Sequence, residues 1–414
     1  MTMKNRVVIT GHGVISPLGE SSAQLLDSLL SARSGISLWQ SPDLRKTFPA
    51  GVVPRSFVDE FPLADRPYLD RTSQMAILAA RQALTEAGLW NFEEYGGRAG
   101  LWYGTVRGGG ETENLWLREH VAGKQTARPY TVMAIMHNAP AAHLSIQHQI
   151  LGPVMTHSSA CASSGAAIGD AFLAIRDGRV DVALAGGAEA PLLAGMLGAW
   201  DGLRALAPVD AEGVGRSCKP FSRQRKGLVL GEGAAFVMLE SESHATKRGA
   251  NILCELSGYG TAADGRYIAA PHARGQVAAL SAALADAGIA PVDLDYVNAH
   301  ATGTPGGDVV EAEALGQVLG PEIERVPVSA TKSVHGHLLG AASAIEFVVT
   351  ALAIQHSFLP ATANLDDPDP ECHLHHVACA PVRGVKIRHA LSLSAGFGGT
   401  NTALCVSRWQ CPSS

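Results

Sequence analysis

The chain repeats its own outline, which restricts it to folds built from two like halves. Gln82–Leu89 reads Q-A-L-T-E-A-G-L, and Ala282–Ile289 reads A-A-L-A-D-A-G-I. A strand-like run follows each, Gly100–Gly104 and Leu294–Ala299, and each ends in a turn rich in Gly and Thr. The turn and helix that begin at Cys161 are answered by the turn Thr331–His337 and a helix expected over Leu338–Ile354. Val180–Gly187 is answered by His389–Gly396, and the opening strand near Val7 by a run near Leu256. A period this long lies well beyond that of stacked repeats, so it predicts two similar α/β halves. The boundary is placed near residue 250, dividing the chain into 1–250 and 251–414.

Local patterns fill in the halves. Arg6–Ile15 reads as a buried strand, Ser22–Ser31 as a helix, and Thr72–Ala87 as an Ala-rich helix stopped by Gly88. Residues 40–70 are Pro-rich and irregular, residues 111–130 polar and expected at the surface, and Val132–His148 helical. Gly227–Leu239 reads as two short strands around Gly-Glu-Gly. With 46% hydrophobic residues, the 414-residue chain can bury a large core. A net charge of −6 argues against a binder of nucleic acid or of a membrane surface. Met1–Thr10 lacks the features of a signal peptide, and no uninterrupted apolar run of about 18 residues predicts a membrane span. Seven scattered cysteines without a secretory signal point to free thiols in a reducing cytoplasm.

Four turns carry the chemistry. Val154 leads into Cys161, which small residues (Ala162, Ser163, Ser164, Gly165) and a helical pattern (Ile168, Phe172, Ile175) follow. Cys161 is therefore expected at a helix N-terminus, where unpaired N–H groups favour a thiolate and can hold an oxyanion. Taken alone, such a cysteine is more often an inert core residue. The second turn, Asn298–Pro305, holds His300 at a strand end. The third, Thr331–His337, sets Lys332, His335 and His337 before a long apolar helix, and Glu346 is that helix's one carboxylate, a partner for Lys332. The fourth, Gly396–Asn401, has glycines that let a backbone approach a ligand closely.

Taken together, S-A-C-A-S-S-G, N-A-H-A-T-G-T, K-S-V-H-G-H and G-F-G-G-T-N resemble the β-ketoacyl-acyl-carrier-protein synthases, the elongating type of the thiolase superfamily. G-L-V-L-G-E-G and N-L-D-D-P lie between them, and order and spacing agree along essentially the whole chain. The resemblance implies a thiolase fold, α/β in five layers (α-β-α-β-α) with two duplicated halves. It implies that Cys161 is the nucleophile that takes an acyl group from a carrier-protein thioester. His300 and His337 would promote malonyl decarboxylation and stabilise the enolate, and Lys332 with Glu346 would order the site. The amides of Cys161 and Phe397 would form the oxyanion hole, and Phe397 would gate the two half-reactions. Thr302 and Thr304 would bind the phosphopantetheine arm, with no free cofactor and no metal. Thiolases carry a second cysteine where this chain has G-F-G-G-T; initiating synthases use Cys-His-Asn; chain-length-factor subunits lack the nucleophile.

The chain also departs from the family pattern. Ala301 and Gly303 stand in its H-A-T-G-T, His335 replaces a Thr, and Ser222 replaces an Asp. Arg107 falls at or next to the position of the acyl-pocket floor, and His137 in the segment a partner subunit lends to it. A polar floor predicts a non-fatty acyl chain of specialised metabolism, unless Arg107 pairs with Glu111 or Glu113. The expected partners are an acyl carrier protein and a second subunit, either a copy of this chain or a chain-length-factor-like protein. Cys372, His373, His375, His376 and Cys379 have a metal-like composition but read as a surface turn and strand.

Overall fold

The strand Val7–Ile15 is buried along its whole length, as an apolar run becomes when a sheet is covered on both faces. In the computed structural model, which describes residues 4–124 and 129–410, it starts a sheet that fixes everything else. From Val7–Ile15 outward lie Gly233–Ser241, Val182–Glu189, Ala99–Gly104 and Val154–His157. The second half begins with Cys254–Ala263, and outward from it lie Thr400–Ser407, His389–Ala395, Tyr296–Asn298 and Pro327–Ser329, with His375–His376 beyond. First, last and intermediate strands thus take equivalent places in both halves. In each, the first two neighbouring pairs are antiparallel and the outer pairs parallel. The halves are joined by antiparallel pairing of Val7–Ile9 with Cys254–Leu256.

Five layers result. Helix Arg71–Ala87 covers the outer face of the first set of strands, and Ala273–Ala287 with Pro305–Leu319 covers that of the second. Helices Ser163–Arg176 and Ala342–His356 fill the space between the two sets. Leu339–His356 is apolar enough to cross a membrane (mean hydropathy 1.4), yet 89% of it is buried as this middle layer. Arg71–Ala87 and Ala273–Ala287 each end at a left-handed glycine, Gly88 (φ 68°) and Gly288 (φ 66°).

These two helices also sit against glycines. A Cβ on Gly13 would lie 2.0 Å from the Ala79 carbonyl oxygen, and one on Gly11 2.2 Å from that of Ala83. In the second half, a Cβ on Gly260 would lie 2.1 Å from the Ala279 oxygen, and one on Gly258 2.5 Å from that of Ala283. The duplication therefore reaches down to the contact of helix on strand.

Some elements differ from the expectation. The polar stretch after Glu111 forms a helix, Gly110–Val121, whose residues are mostly exposed. Val132–His148 is two helices, Thr131–Ile135 and Ala139–His148, with Pro140 opening the second. Gly233–Ser241 is a nine-residue strand, not a short one, because every residue in it is buried between neighbours. Thr331–His337 contains one helical turn, Lys332–His335. The six cysteines among the described residues are free thiols, and Cys411 lies outside them.

The glycine contacts generate a stability prediction. Gly13→Val and Gly260→Val should each lower the midpoint of chemical unfolding, the free energy of unfolding falling by about 1–3 kcal/mol or more through overpacking. Gly195→Ala, where a Cβ meets nothing within 4 Å, should not. Equal midpoints for all three would refute the close-approach account.

Candidate active site

Cys161 closes a tight turn between the Val154–His157 strand and helix Ser163–Arg176. Ala160 before it adopts φ 50°, a left-handed conformation that costs a non-glycine residue energy. Ser163 fastens the turn: its Oγ accepts from Ser159 N at 2.8 Å and donates to Ala160 O at 2.6 Å. Ser343, in the second half, donates to Cys161 O at 3.0 Å. The small residues after Cys161 have a packing reason, since a Cβ on Gly165 would lie 2.4 Å from Thr402 Oγ1.

His337 Nε2 lies 2.9 Å from Cys161 Sγ, and the His300 and His337 rings meet edge to face with centroids 5.3 Å apart. Lys332 Nζ is completely buried, paired with Glu346, 2.5 Å from His300 O and 3.2 Å from His300 Nδ1. A lysine ammonium can only donate, so His300 Nδ1 accepts and its proton sits on Nε2. Burial, with the nearby Lys332 charge, holds both imidazoles well below their ordinary range, so both are neutral. Burial pushes the Glu346 carboxyl up to about 7, with Lys332 pulling against it.

The thiol differs from the expectation of a ready thiolate. Burial pushes Cys161 up to about 11, against the pull of Lys332 and of the N–H groups of Phe397 and Cys161 itself. Removing the sulfur from water outweighs the turn's amides. Those two amides nevertheless act on the same sulfur.

A cavity of about 470 Å³ leads to these groups. Cys161, His300 and His337 line it together with Thr302, Thr304 and Phe397. The Thr302 and Thr304 hydroxyls are 3.1 Å apart. Phe397, 42% exposed, packs against Trp200 with ring centroids 5.4 Å apart. Its loop is tied to residues 264–272: Gly398 N donates to Ile268 O and Asp264 N to Gly399 O, both at 2.8 Å.

Arg107 and His137 are not in the wall of this cavity. Arg107 Nη2 pairs with Glu113 Oε2 at 2.7 Å, each side chain 40% exposed, and His137 Nε2 lies 3.2 Å from Val106 O. Glu113 offers the guanidinium a partner beside solvent, which avoids the cost of burying it. Val106, the preceding residue, is the one that packs on the apolar cluster around Cys161. His335 is buried in its own turn, bonded to Gly336 O and Thr331 Oγ1, and does not line the cavity.

Several residues of the site carried no motif. Glu311 accepts from the N–H groups of His300 (2.6 Å) and Ala301 (2.7 Å), and Asp308 from those of Thr302 and Gly303. Burial pushes them up to about 8 and about 6. Their spacing of three on one helix face was the available signal; Trp200 had none. Glu189, wholly buried and pushed up to about 7 by burial, accepts from Val106 N (2.6 Å), Arg107 N (3.1 Å) and Gly340 N (3.2 Å), tying that turn to the His337 segment.

Ligand atoms of Cys161, His300 and His337 all lie within 4.8 Å of one another, a spacing that could bridge a metal. The wiring behind them opposes it. In metal sites the outer imidazole nitrogen donates to a carboxylate or carbonyl, whereas here His300 Nδ1 accepts from Lys332. In the Cys372–Cys379 stretch, His373 pairs with Glu324, and His375 and His376 bond to the carbonyls of Arg325 and Cys372.

The raised thiol predicts a pH profile. Alkylation of Cys161 by iodoacetamide, read by peptide mass spectrometry, should rise about tenfold per pH unit from pH 7 to 9.5 without levelling. Lys332→Met should slow it further at each pH. A plateau below pH 8 would mean that the turn does hold a thiolate.

Two family models match the chain: "Beta-ketoacyl synthase, N-terminal domain" over residues 4–245 and "Beta-ketoacyl synthase, C-terminal domain" over residues 253–366. The chain is 40% identical to "Nodulation protein E" of Rhizobium meliloti (strain 1021), over 98% of this chain and 100% of that one. It is 36% identical to "3-oxoacyl-[acyl-carrier-protein] synthase 2" of Staphylococcus aureus (strain COL), over 99% and 100%. Among solved structures, "The ishigamide ketosynthase/chain length factor" superimposes with a TM-score of 0.90 at 32% identity, over 98% of this chain and 100% of that one. The chain belongs to the β-ketoacyl synthase family and has the thiolase fold.

Proposed function

We propose that the chain condenses an acyl group held on Cys161 with malonyl-acyl-carrier protein, losing CO₂ and yielding a β-ketoacyl-carrier protein. The observation that carries this reading is Cys161 Sγ at 2.9 Å from a neutral His337, on one cavity with His300. In the first half-reaction Sγ attacks the acyl thioester, and the departing carrier thiol takes up the proton that Sγ loses. The amides of Cys161 and Phe397 face the oxygen that becomes negative. In the second, malonyl enters the emptied cavity, CO₂ leaves, and charge builds on the remaining thioester oxygen. His300 Nε2–H and the His337 imidazole are the groups that meet it. The enolate carbon then attacks the acyl carbonyl on Cys161, the bond from that carbon to Sγ breaks, and Sγ leaves as a thiolate that regains its proton from solvent. Thr302 and Thr304 take the pantetheine arm.

The acyl chain we infer is hydrocarbon-like where it leaves Cys161, because Leu197, Leu228, Leu230 and Leu339 cluster with that residue. Arg107 no longer supports a polar floor. A stand-alone synthase of polyketide, polyene or other specialised metabolism is supported instead by 40% identity to nodulation protein E and by the likeness to a ketosynthase with a chain length factor. Fatty-acid elongation is the second reading, favoured by 36% identity to 3-oxoacyl-[acyl-carrier-protein] synthase 2. Competition between long saturated and short or unsaturated acyl-carrier proteins separates the two. Faster transfer of the long saturated chain favours elongation.

Two surfaces suit partners. The edge strand Val154–His157 has one unpaired side and exposes Val154 and Met155, which fits pairing with a second subunit, identical or chain-length-factor-like. Arg204, on the cavity wall, is exposed and without an anionic partner among the described residues, as are nearby Lys226 and Arg266. Such a mouth fits an acidic carrier protein.

Cys161→Ala should abolish self-acylation and condensation while malonyl decarboxylation persists. His337→Ala should lower decarboxylation about 10²–10³-fold and acylation far less. Equal losses in both half-reactions would overturn these roles. Arg204→Glu should raise KM several-fold, about three- to tenfold, for acyl-carrier protein and less for an acyl-pantetheine. Equal changes would remove Arg204 from the docking surface.

A further inference from the structure

Helix Ala273–Ala287 turns one stripe inward, with Gln276, Ala279, Leu280, Ala283 and Leu284 buried at helical spacing. All but Gln276 are apolar. Gln276 is only 1% exposed, and its carbonyl oxygen Oε1 is sealed from solvent without a hydrogen-bond partner. An unpaired buried carbonyl destabilises the free protein, and an apolar residue there would avoid that cost. Local rules of this kind are broken mainly where function requires it.

Gln276 also forms part of the wall of the cavity that leads to Cys161. The carboxylates and the other carboxamide of that wall are already engaged. Asn401 Nδ2 donates to Asp264 Oδ1 at 2.8 Å, and the second Asp264 oxygen accepts from His272 N at 2.9 Å. Glu311 and Asp308 hold the backbone of the His300–Gly303 turn. Gln276 follows directly on the 264–272 segment, whose Ile268 and Pro271 are exposed and line the same cavity. The requirement left unmet at Gln276 Oε1 is for a neutral N–H donor on something that enters from the mouth. Neither an anion nor a hydrocarbon supplies one. The arm that delivers a carrier-bound thioester has two secondary amides, and each does.

We propose that Gln276 is a substrate-binding residue whose carboxamide accepts the N–H of a secondary amide in the pantetheine arm. A rotation about its last side-chain bond brings Oε1 to the cavity side as the arm enters. The inference rests on the condensing reading above and adds to it a binding residue outside the Thr302–Thr304 turn.

The test is calorimetric titration of the full-length wild type and Gln276→Leu with S-methyl pantetheine, which has both amides and no acyl group to transfer. The expected result is a Kd about three- to tenfold higher in the variant, with an unliganded melting temperature no lower than that of the wild type. Two analogues, each with one amide replaced by an ester and so lacking one N–H, locate the partner. The ester at the amide that is read costs the wild type the same factor and costs Gln276→Leu nothing. Equal affinity of both proteins for the parent, or equal ester penalties in both, overturns the inference. Gln276→Ala provides the same comparison should leucine disturb the helix. The titration involves no chemistry, so its outcome is separate from that of the condensing reading, which fails if Cys161 takes up no acyl group.

Discussion

A lysine ammonium with no exposure to water sits at the centre of this protein, and its neighbours are arranged to keep it there. Lys332 is paired with Glu346, from the helix that forms the middle layer, and touches His300 through both a carbonyl and a ring nitrogen. Breaking one partner out of such a pair typically costs about 3–5 kcal/mol, because the other charge is left buried. The pair alone is a poor source of stability. Its effect here is on protons: the ammonium sets the His300 tautomer and adds to burial, the larger cause, in keeping both histidines neutral. Imidazoles held this way act as hydrogen-bond donors toward a developing oxyanion and as weak bases.

The same burial that serves the histidines works against the cysteine. A helix start beside a thiol ordinarily favours the thiolate. At Cys161 the loss of hydration is the larger effect, and the amides and Lys332 recover only part of it. A sulfur kept as a thiol is protected from chance chemistry. The left-handed Ala160 shows that the turn is held by its surroundings, through Ser163 on one side and Ser343 on the other.

Packing of helices on strands within each half, and at Gly165 between the halves, relies on missing side chains. Helices rest on the backbones of Gly11, Gly13, Gly258 and Gly260, and helix Ser163–Arg176 passes Thr402 at Gly165. Arg107 illustrates the opposite pressure. Its backbone N–H helps to hold buried Glu189 beside the site, while its guanidinium reaches outward to Glu113.

Much of this was legible in the residues themselves. The paired segments around Gln82 and Ala282, the buried opening strand and the glycine stop at Gly88 follow from local chemistry and periodicity, and they survive in the fold. The short motifs named the residues that the structure brings together: Cys161, His300, His337, Lys332, Glu346 and Phe397. What the sequence could not settle depends on distances between segments far apart in the chain. The direction of the Cys161 shift is set by how completely the sulfur is buried, and the place of Arg107 by a carboxylate within reach near solvent. The backbone anchoring by Glu311 and Asp308, and the unpaired carbonyl of Gln276 in the cavity wall, appear only once helices and turns are packed. Residue order therefore determined the elements and the reactive groups, through local periodicity and turn chemistry. Tertiary structure alone decided protonation, exposure and which polar groups were left without a partner, because those depend on what surrounds a group in space.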